Sequence, residues 1–210
     1  MYYKNNRHKK TTKNINQETF QQNGISFVLN ENIKTCAIIK NIYLQNNIFI
    51  PKSIHYKSNE YIITRINEHS FSNSKNIKAI TFSNDSEIQL IDKFSFAYSS
   101  IENITIPSKV VKICKKAMYN CKSLKNIYLN DDSQLRQIDE YAFSGSSISR
   151  ISIPSHVKII GQYSFYICNF LNDIKFSQNS ELEVIEKSAF YCCGLKKIKI
   201  PQHVKTIGEN

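Results

Sequence analysis

Residues 153–170 read IPSHVKIIGQYSFYICNF, and residues 106–123 read IPSKVVKICKKAMYNCKS, so one phrase recurs after 47 positions. It opens a third time, another 47 positions on, as IPQHVKTIGEN at residues 200–210. Following single positions from this phrase outward exposes the period. An apolar anchor returns at Phe71, Phe96, Met118, Phe143, Phe165 and Phe190, at spacings of 25, 22, 25, 22 and 25. Two alternating coil types therefore make up each 47-residue unit.

After each anchor comes one apolar pattern: Ile77-x-x-Ile80-x-Phe82, Ile101-x-x-Ile104-x-Ile106, Leu124-x-x-Ile127-x-Leu129, Ile148-x-x-Ile151-x-Ile153, Leu171-x-x-Ile174-x-Phe176 and Leu195-x-x-Ile198-x-Ile200. The last two apolar residues of each copy alternate with polar ones, the period of a short strand with one buried face. A second apolar pair, such as Val157 and Ile160 or Leu182 and Ile185, precedes each anchor and supplies the opposite inner wall. Behind that pair stand Asp92, Asp139 or Glu186 in one coil type and Cys114, Gly161 or Gly208 in the other. The acids read as caps of short helical or 3₁₀ turns that carry the anchor, not as catalytic carboxylates.

The coil types differ in how the chain leaves the strand. One uses proline, at Pro51, Pro107, Pro154 and Pro201; the other uses FSNDSE, LNDDSQ or FSQNSE. Proline ends ladder donation and the Asn/Asp/Ser clusters favour turns, so both bend the chain out of the sheet. A lone coil has too little core to fold, which is why the phrase is repeated: stacked coils bury one continuous core, with parallel strands about 4.8 Å apart.

Upstream, IFIPKSIHYKSNEYIITRINEHSF carries nine residues more than later coils, with KSNE between two alternating runs as in a hairpin. GISFVLNENIKTCAIIK reads as a second strand pair. Residues 21–66 are therefore expected to be a β-hairpin cap and residues 67–210 the solenoid, its last coil incomplete where the sequence stops at TIGEN. Residues 1–20, with Lys4, Arg7, Lys9, Lys10 and Lys13 and no acid before Glu18, read as a disordered basic arm.

A hydrophobic share of 41% in 210 residues is enough for a buried core, and the net charge of +11 favours anionic partners. The first residues hold no apolar leader core, and no run approaches the roughly 20 apolar residues of a membrane span. Cys36, Cys114, Cys121, Cys168, Cys192 and Cys193 show neither C-x-x-C nor Cys/His spacing. Cys121 and Cys168 hold equivalent repeat positions and read as small buried thiols.

The combination L-x-x-I-x-I-P followed by V-x-x-I-x-x-x-A/S-F-x-x-C resembles the BspA-type leucine-rich repeat family of bacterial and protist surface antigens. The resemblance covers roughly residues 50–210 and is clearest in EYAFSGSSISRISIP (140–154) and KSAFYCCGLKKIKIP (187–201), with Met118 in place of the usual Phe. It implies a β-rich leucine-rich repeat solenoid, an α/β-type right-handed superhelix with one parallel strand per coil. It also implies a non-enzymatic module that binds macromolecules, in several relatives at a cell surface; the alternative is an intracellular scaffold or regulatory protein. Location stays open between the surface, which the resemblance implies, and the cytoplasm, which the missing leader implies.

Binding residues are expected at the outward positions of the strand face: Ala79 and Thr81, Asn103 and Thr105, Asn126 and Tyr128, Arg150 and Ser152, Asp173 and Lys175, Lys197 and Lys199. The partner expected there is a protein or glycan. Nucleic acid is disfavoured because most Phe residues belong to the core rather than to a stacking platform. No catalytic or metal-binding set and no cofactor motif is present: His156 and His203 are one repeat position copied, and neither G-x-S-x-G nor a Gly-rich phosphate loop occurs. An unfinished last coil also suggests end-to-end self-association.

Overall fold

The structure, a computed structural model, describes residues 18–42 and 45–209. The cations Lys4 to Lys13 of the expected basic arm lie outside the described residues. The chain enters through hairpins. Strands β1 (Thr19–Gln22) and β2 (Ile25–Asn30) are antiparallel, joined by Asn23 and Gly24 at φ 48 and 71°. Positive φ at both central residues gives the turn the twist that matches its strands. Strand β2 then pairs antiparallel with β3 (Thr35–Asn41), burying Ile25, Phe27 and Leu29.

The KSNE stretch makes the turn expected of it. Lys57 and Ser58, at φ 46 and 60°, join β5 (Ser53–Tyr56) to β6 (Asn59–Ile66). The hairpins are continuous with the coils: β6 pairs in parallel with β3 on one side and β8 (Leu90–Ile91) on the other. Strand β4 (Asn47–Ile50) leaves the hairpins and pairs in parallel with β7 (Ala79–Phe82).

Each later coil except the last has a four-residue strand and a two-residue strand; the last has only the short one. The longer ones are β7, β9 (Asn103–Ile106), β11 (Asn126–Leu129), β13 (Arg150–Ile153) and β15 (Asp173–Phe176). The shorter ones, β8, β10 (Lys112–Ile113), β12 (Gln137–Ile138), β14 (Ile159–Ile160), β16 (Val184–Ile185) and β17 (Thr206–Ile207), continue one parallel ladder from β6. Between these walls lie the anchors. Phe71, Phe96, Met118, Phe143 and Phe165 are buried, with Phe71 stacked on Phe96 at 5.2 Å and Phe165 between Phe143 at 5.3 Å and Phe190 at 5.4 Å.

No helix occurs among the described residues, and this corrects the expected helical or 3₁₀ anchor turns and the α/β description. Left-handed residues instead flank each anchor two positions away on both sides: His69 and Asn73 around Phe71, Phe94 and Tyr98 around Phe96, Tyr163 and Ile167 around Phe165. Alternate amides consequently point in different directions. Ala97 N–H donates within its turn to Phe94 at 3.1 Å, while Phe96 and Tyr98 N–H donate to Ala117 and Tyr119 of the next coil, both at 2.8 Å. A helix would spend its interior amides within itself; this backbone spends alternate ones on stacking.

The acids behind the second apolar pair serve the same end. Asp92 accepts Lys93 N–H at 2.8 Å and Arg65 Nη2 at 2.6 Å from the preceding coil. Asp139 accepts Glu140 N–H at 2.8 Å and pairs with Lys112 at 2.9 Å. They tie neighbouring coils where helix caps were expected.

Two buried hydroxyls, Ser95 and Ser164, find no hydrogen-bond partner among the described residues. Alanine occupies the same repeat position at Ala117, Ala142 and Ala189, where it is buried. Ser95→Ala and Ser164→Ala should each stabilise the fold by about 1 kcal/mol, because an unpaired buried hydroxyl costs about 1 to 3 kcal/mol. A lower urea midpoint in either variant would contradict this.

The thiols fill repeat slots as expected. Cys121 and Cys168 are buried and donate to the carbonyls of Phe96 and Phe143, at 3.0 and 3.2 Å. Burial pushes both thiols up to about 11, so they stay protonated and unreactive at neutral pH. Iodoacetamide should label exposed Cys192 in the native protein and reach Cys36, Cys121 and Cys168 only after denaturation, as read by mass spectrometry. Native labelling of Cys121 would show that the anchor turns open freely.

Candidate binding surface: the strand face

Burial of Ile80, Ile104, Ile127 and Ile151 forces the flanking residues of each strand outward. Thr105 and Tyr128 are exposed and sit opposite each other in register, as do the half-buried Asn103 and Asn126. Asn126 Nδ2 donates to Asn103 Oδ1 at 2.6 Å, fixing both amides. Exposed Thr81 stands on β7, next to β9. Exposed Arg150 and Ser152 on β13 face half-buried Asp173 and exposed Lys175 on β15.

The face begins one coil earlier than the candidate residues. Phe49 on β4 lies opposite Thr81 with 61% of its surface exposed. The signal for it was present as Ile48-x-Ile50-Pro51, the same strand-and-proline phrase as Ile104-x-Ile106-Pro107.

Lys197 and Lys199 require a correction. Both are exposed, but residues 195–200 form no strand and make no backbone hydrogen bond to β15. Their place in the coil sequence explains this. Every proline-type strand pairs through four residues with the Asn/Asp-type strand that follows it: β4 with β7, β9 with β11, β13 with β15. Every Asn/Asp-type strand pairs less with the proline-type stretch after it. Strands β7 and β9 share two residue pairs, β11 and β13 form no ladder, and β15 has no strand after it.

Loop length alternates in step with this pairing. The chain takes six steps from Phe82 to Ile88, Leu129 to Leu135 or Phe176 to Leu182, but four from Ile106 to Val110 or Ile153 to Val157. The surplus falls on the Asn/Asp-type coil of each doublet, and β11 and β13 still lie side by side as neighbouring coils. A cleft of about 380 Å³ opens there between β11 and β13, lined by Asn126, Tyr128, Asn130, Arg150 and Ser152 among others. A second, of about 530 Å³, lies between β15 and residues 199–203.

Charge divides the face. From Phe49 through Thr81, Thr105 and Tyr128 it is neutral; beyond β11 it carries Arg150, Lys175, Lys197 and Lys199 with Asp173 as the acid. Elsewhere lysines pair across coils, Lys78 with Glu102 at 3.0 Å and Lys115 with Glu140 at 2.8 Å. Arg150, Lys175, Lys197 and Lys199 take part in no ion pair among the described residues.

On the turn side of the coils the tyrosine rings are already engaged, while Phe170 is exposed. Tyr141 stacks on Tyr163 at 4.8 Å, Tyr166 on Tyr191 at 5.6 Å, and Lys116 Nζ lies 5.3 and 5.2 Å from the rings of Tyr119 and Tyr141. These contacts occupy ring faces that a ligand would need.

Comparison with known proteins agrees with this geometry. The model of the BspA type leucine rich repeat region matches residues 42–130 and 89–210, with 6 copies. The chain belongs to the BspA-type leucine-rich repeat family. Among solved structures, this BspA-type chain is similar to a leucine rich cell surface protein from Faecalibacterium prausnitzii, with 25% identity and a TM-score of 0.78 over 91% of this chain and 50% of that one. It is similar to the pneumococcal vaccine antigen PcpA, with 25% identity and a TM-score of 0.61 over 91% of this chain and 46% of that one. A leucine-rich repeat protein from Bacteroides ovatus, 21% identical over 90% of this chain and 61% of that one with a TM-score of 0.65, shares the fold. The chain thus spans about half the length of the first two. A search of the curated proteins finds no match.

The family motif consists of residues that build the BspA-type coil, and the strand-face residues alternate with them. No helix among the described residues is long and apolar enough to cross a membrane. No group of His, Cys, Asp and Glu among them is arranged to hold a metal ion.

Proposed function

We propose that this BspA-type protein is a non-enzymatic binding module that offers its strand face to a macromolecular partner at a cell surface. The observation that carries the reading is the face itself: a row from Phe49 to Lys175 held outward by buried isoleucines, with Phe49 and Tyr128 exposed at 61% and 54%. Exposed aromatic residues next to unpaired cations are the composition of interaction surfaces. The repeat supplies rigidity, so little ordering is lost when a partner docks. The likeness to a bacterial cell surface protein and to a vaccine antigen supports the location.

The test is antibody labelling of an epitope-tagged copy in its native cells, compared before and after permeabilisation. Labelling of intact cells is the expected result. Labelling only after permeabilisation would overturn the surface location and turn the search toward an intracellular scaffold.

A further inference from the structure

Arg150 lines the cleft between β11 and β13 together with Asn126, Tyr128 and Ser152, and the two strands share no ladder. Its neighbour in register, Asp173, forms no salt bridge with it, and Lys175 stands two residues along the same strand as Asp173. Lys197 and Lys199 extend the same charge into the next coil. Four exposed cations thus lie along three successive coils from this cleft onward, against one half-buried acid. Beyond the cleft in the other direction the face is neutral, through Tyr128, Thr105, Thr81 and Phe49.

We propose, on the reading that the strand face is the binding surface, that this cleft anchors an acidic segment of a partner polypeptide. A carboxylate of the segment pairs with Arg150, whose planar guanidinium presents two parallel N–H donors to it. Acidic residues on one side of that carboxylate reach Lys175, Lys197 and Lys199. Neutral or apolar residues on the other side lie along Tyr128 and Phe49.

Charge complementarity selects a polypeptide as the occupant. A nucleic acid or sulfated glycan carries its charge evenly along its length, whereas this face is cationic on one side of the cleft only. A polypeptide varies its charge residue by residue.

A fluorescein-labelled oligoglutamate peptide tests this by anisotropy with the full chain, at low and at physiological salt. The peptide should bind, more weakly as salt rises, with Arg150→Ala raising Kd on the order of tenfold or more. Ser152→Glu, which adds a carboxylate at the cleft, should weaken binding as well. Lys187→Ala, on the exposed anchor turn, should leave it unchanged. The variants sit on the surface, and an unaltered thermal transition will confirm folding.

The proposal is overturned by absence of oligoglutamate binding, by an equal loss in Lys187→Ala, or by a heparin fragment or single-stranded oligonucleotide binding more tightly than the peptide. Surface labelling of intact cells is independent of these outcomes. If labelling succeeds and oligoglutamate fails, the acidic partner is wrong while the surface module stands.

Discussion

Phe165→Ala should lower the stability of the coil stack by about 3 to 5 kcal/mol, the range for removing a buried phenylalanine from a packed core. The ring is fully buried and stacks at 5.3 Å on Phe143 and 5.4 Å on Phe190, so its loss opens a cavity across two coil interfaces at once. The surrounding backbone has little freedom to collapse into that space. Phe165 N–H donates to Ala189 at 2.9 Å and the Phe165 carbonyl accepts the Cys193 thiol at 3.1 Å, which pins the turn in place. Because coils are stabilised by their neighbours, hydrogen exchange should also show the coils after residue 165 opening before those in front of it. An unchanged urea midpoint would mean that the anchors are not what holds successive coils together. Lys197→Ala is the matched control, an exposed change that should shift stability by no more than about 0.5 kcal/mol.

The second large effect is expected at Gly161. A Cβ there would lie 2.7 Å from the Asp139 carbonyl carbon, 2.8 Å from the Glu140 nitrogen and 2.9 Å from the Ile138 oxygen. All three atoms are backbone of the preceding coil, and none moves aside by rotating a side chain. Gly161→Ala must therefore push two coils apart where Gly161 N–H donates to Ile138 at 2.7 Å and β12 pairs with β14. The cost should be about 1 to 3 kcal/mol, the range for overpacking a filled site. Cys114 holds the equivalent position two coils earlier, whereas Gly208, two coils later, repeats the crowding against the backbone of Glu186 and Lys187. Urea denaturation of Gly161→Ala decides the matter; a midpoint equal to that of the unsubstituted protein would show that the coils separate here at no cost.

Much of this molecule is legible in its letters because the repeat reports each structural position six times. One isoleucine says little, but Ile80, Ile104, Ile127, Ile151 and Ile174 at one register mark an inner wall. The outward residues follow by alternation, which placed Thr81, Thr105, Tyr128, Ser152 and Lys175 on one face. The KSNE turn was legible for a local reason, since a short loop between two alternating runs has few ways to close. The anchor turns were not. Phe94, Tyr98, Tyr163 and Ile167 adopt left-handed conformations that their side chains disfavour. Local propensity argued for helical turns, and inter-coil hydrogen bonds overrode it.

The sequence by itself determined the period, the anchors, the two coil types and the polarity of the strand face, because these depend on which residues need burial and how often they recur. The tertiary structure alone decided how coils are joined. It assembled the strands in doublets, left β11 and β13 without a ladder and withheld a strand from Lys197 and Lys199. The reason is that a ladder needs N–H and C=O groups of two neighbouring coils to line up with each other. That alignment belongs to contacts between coils and is written in no single one of them.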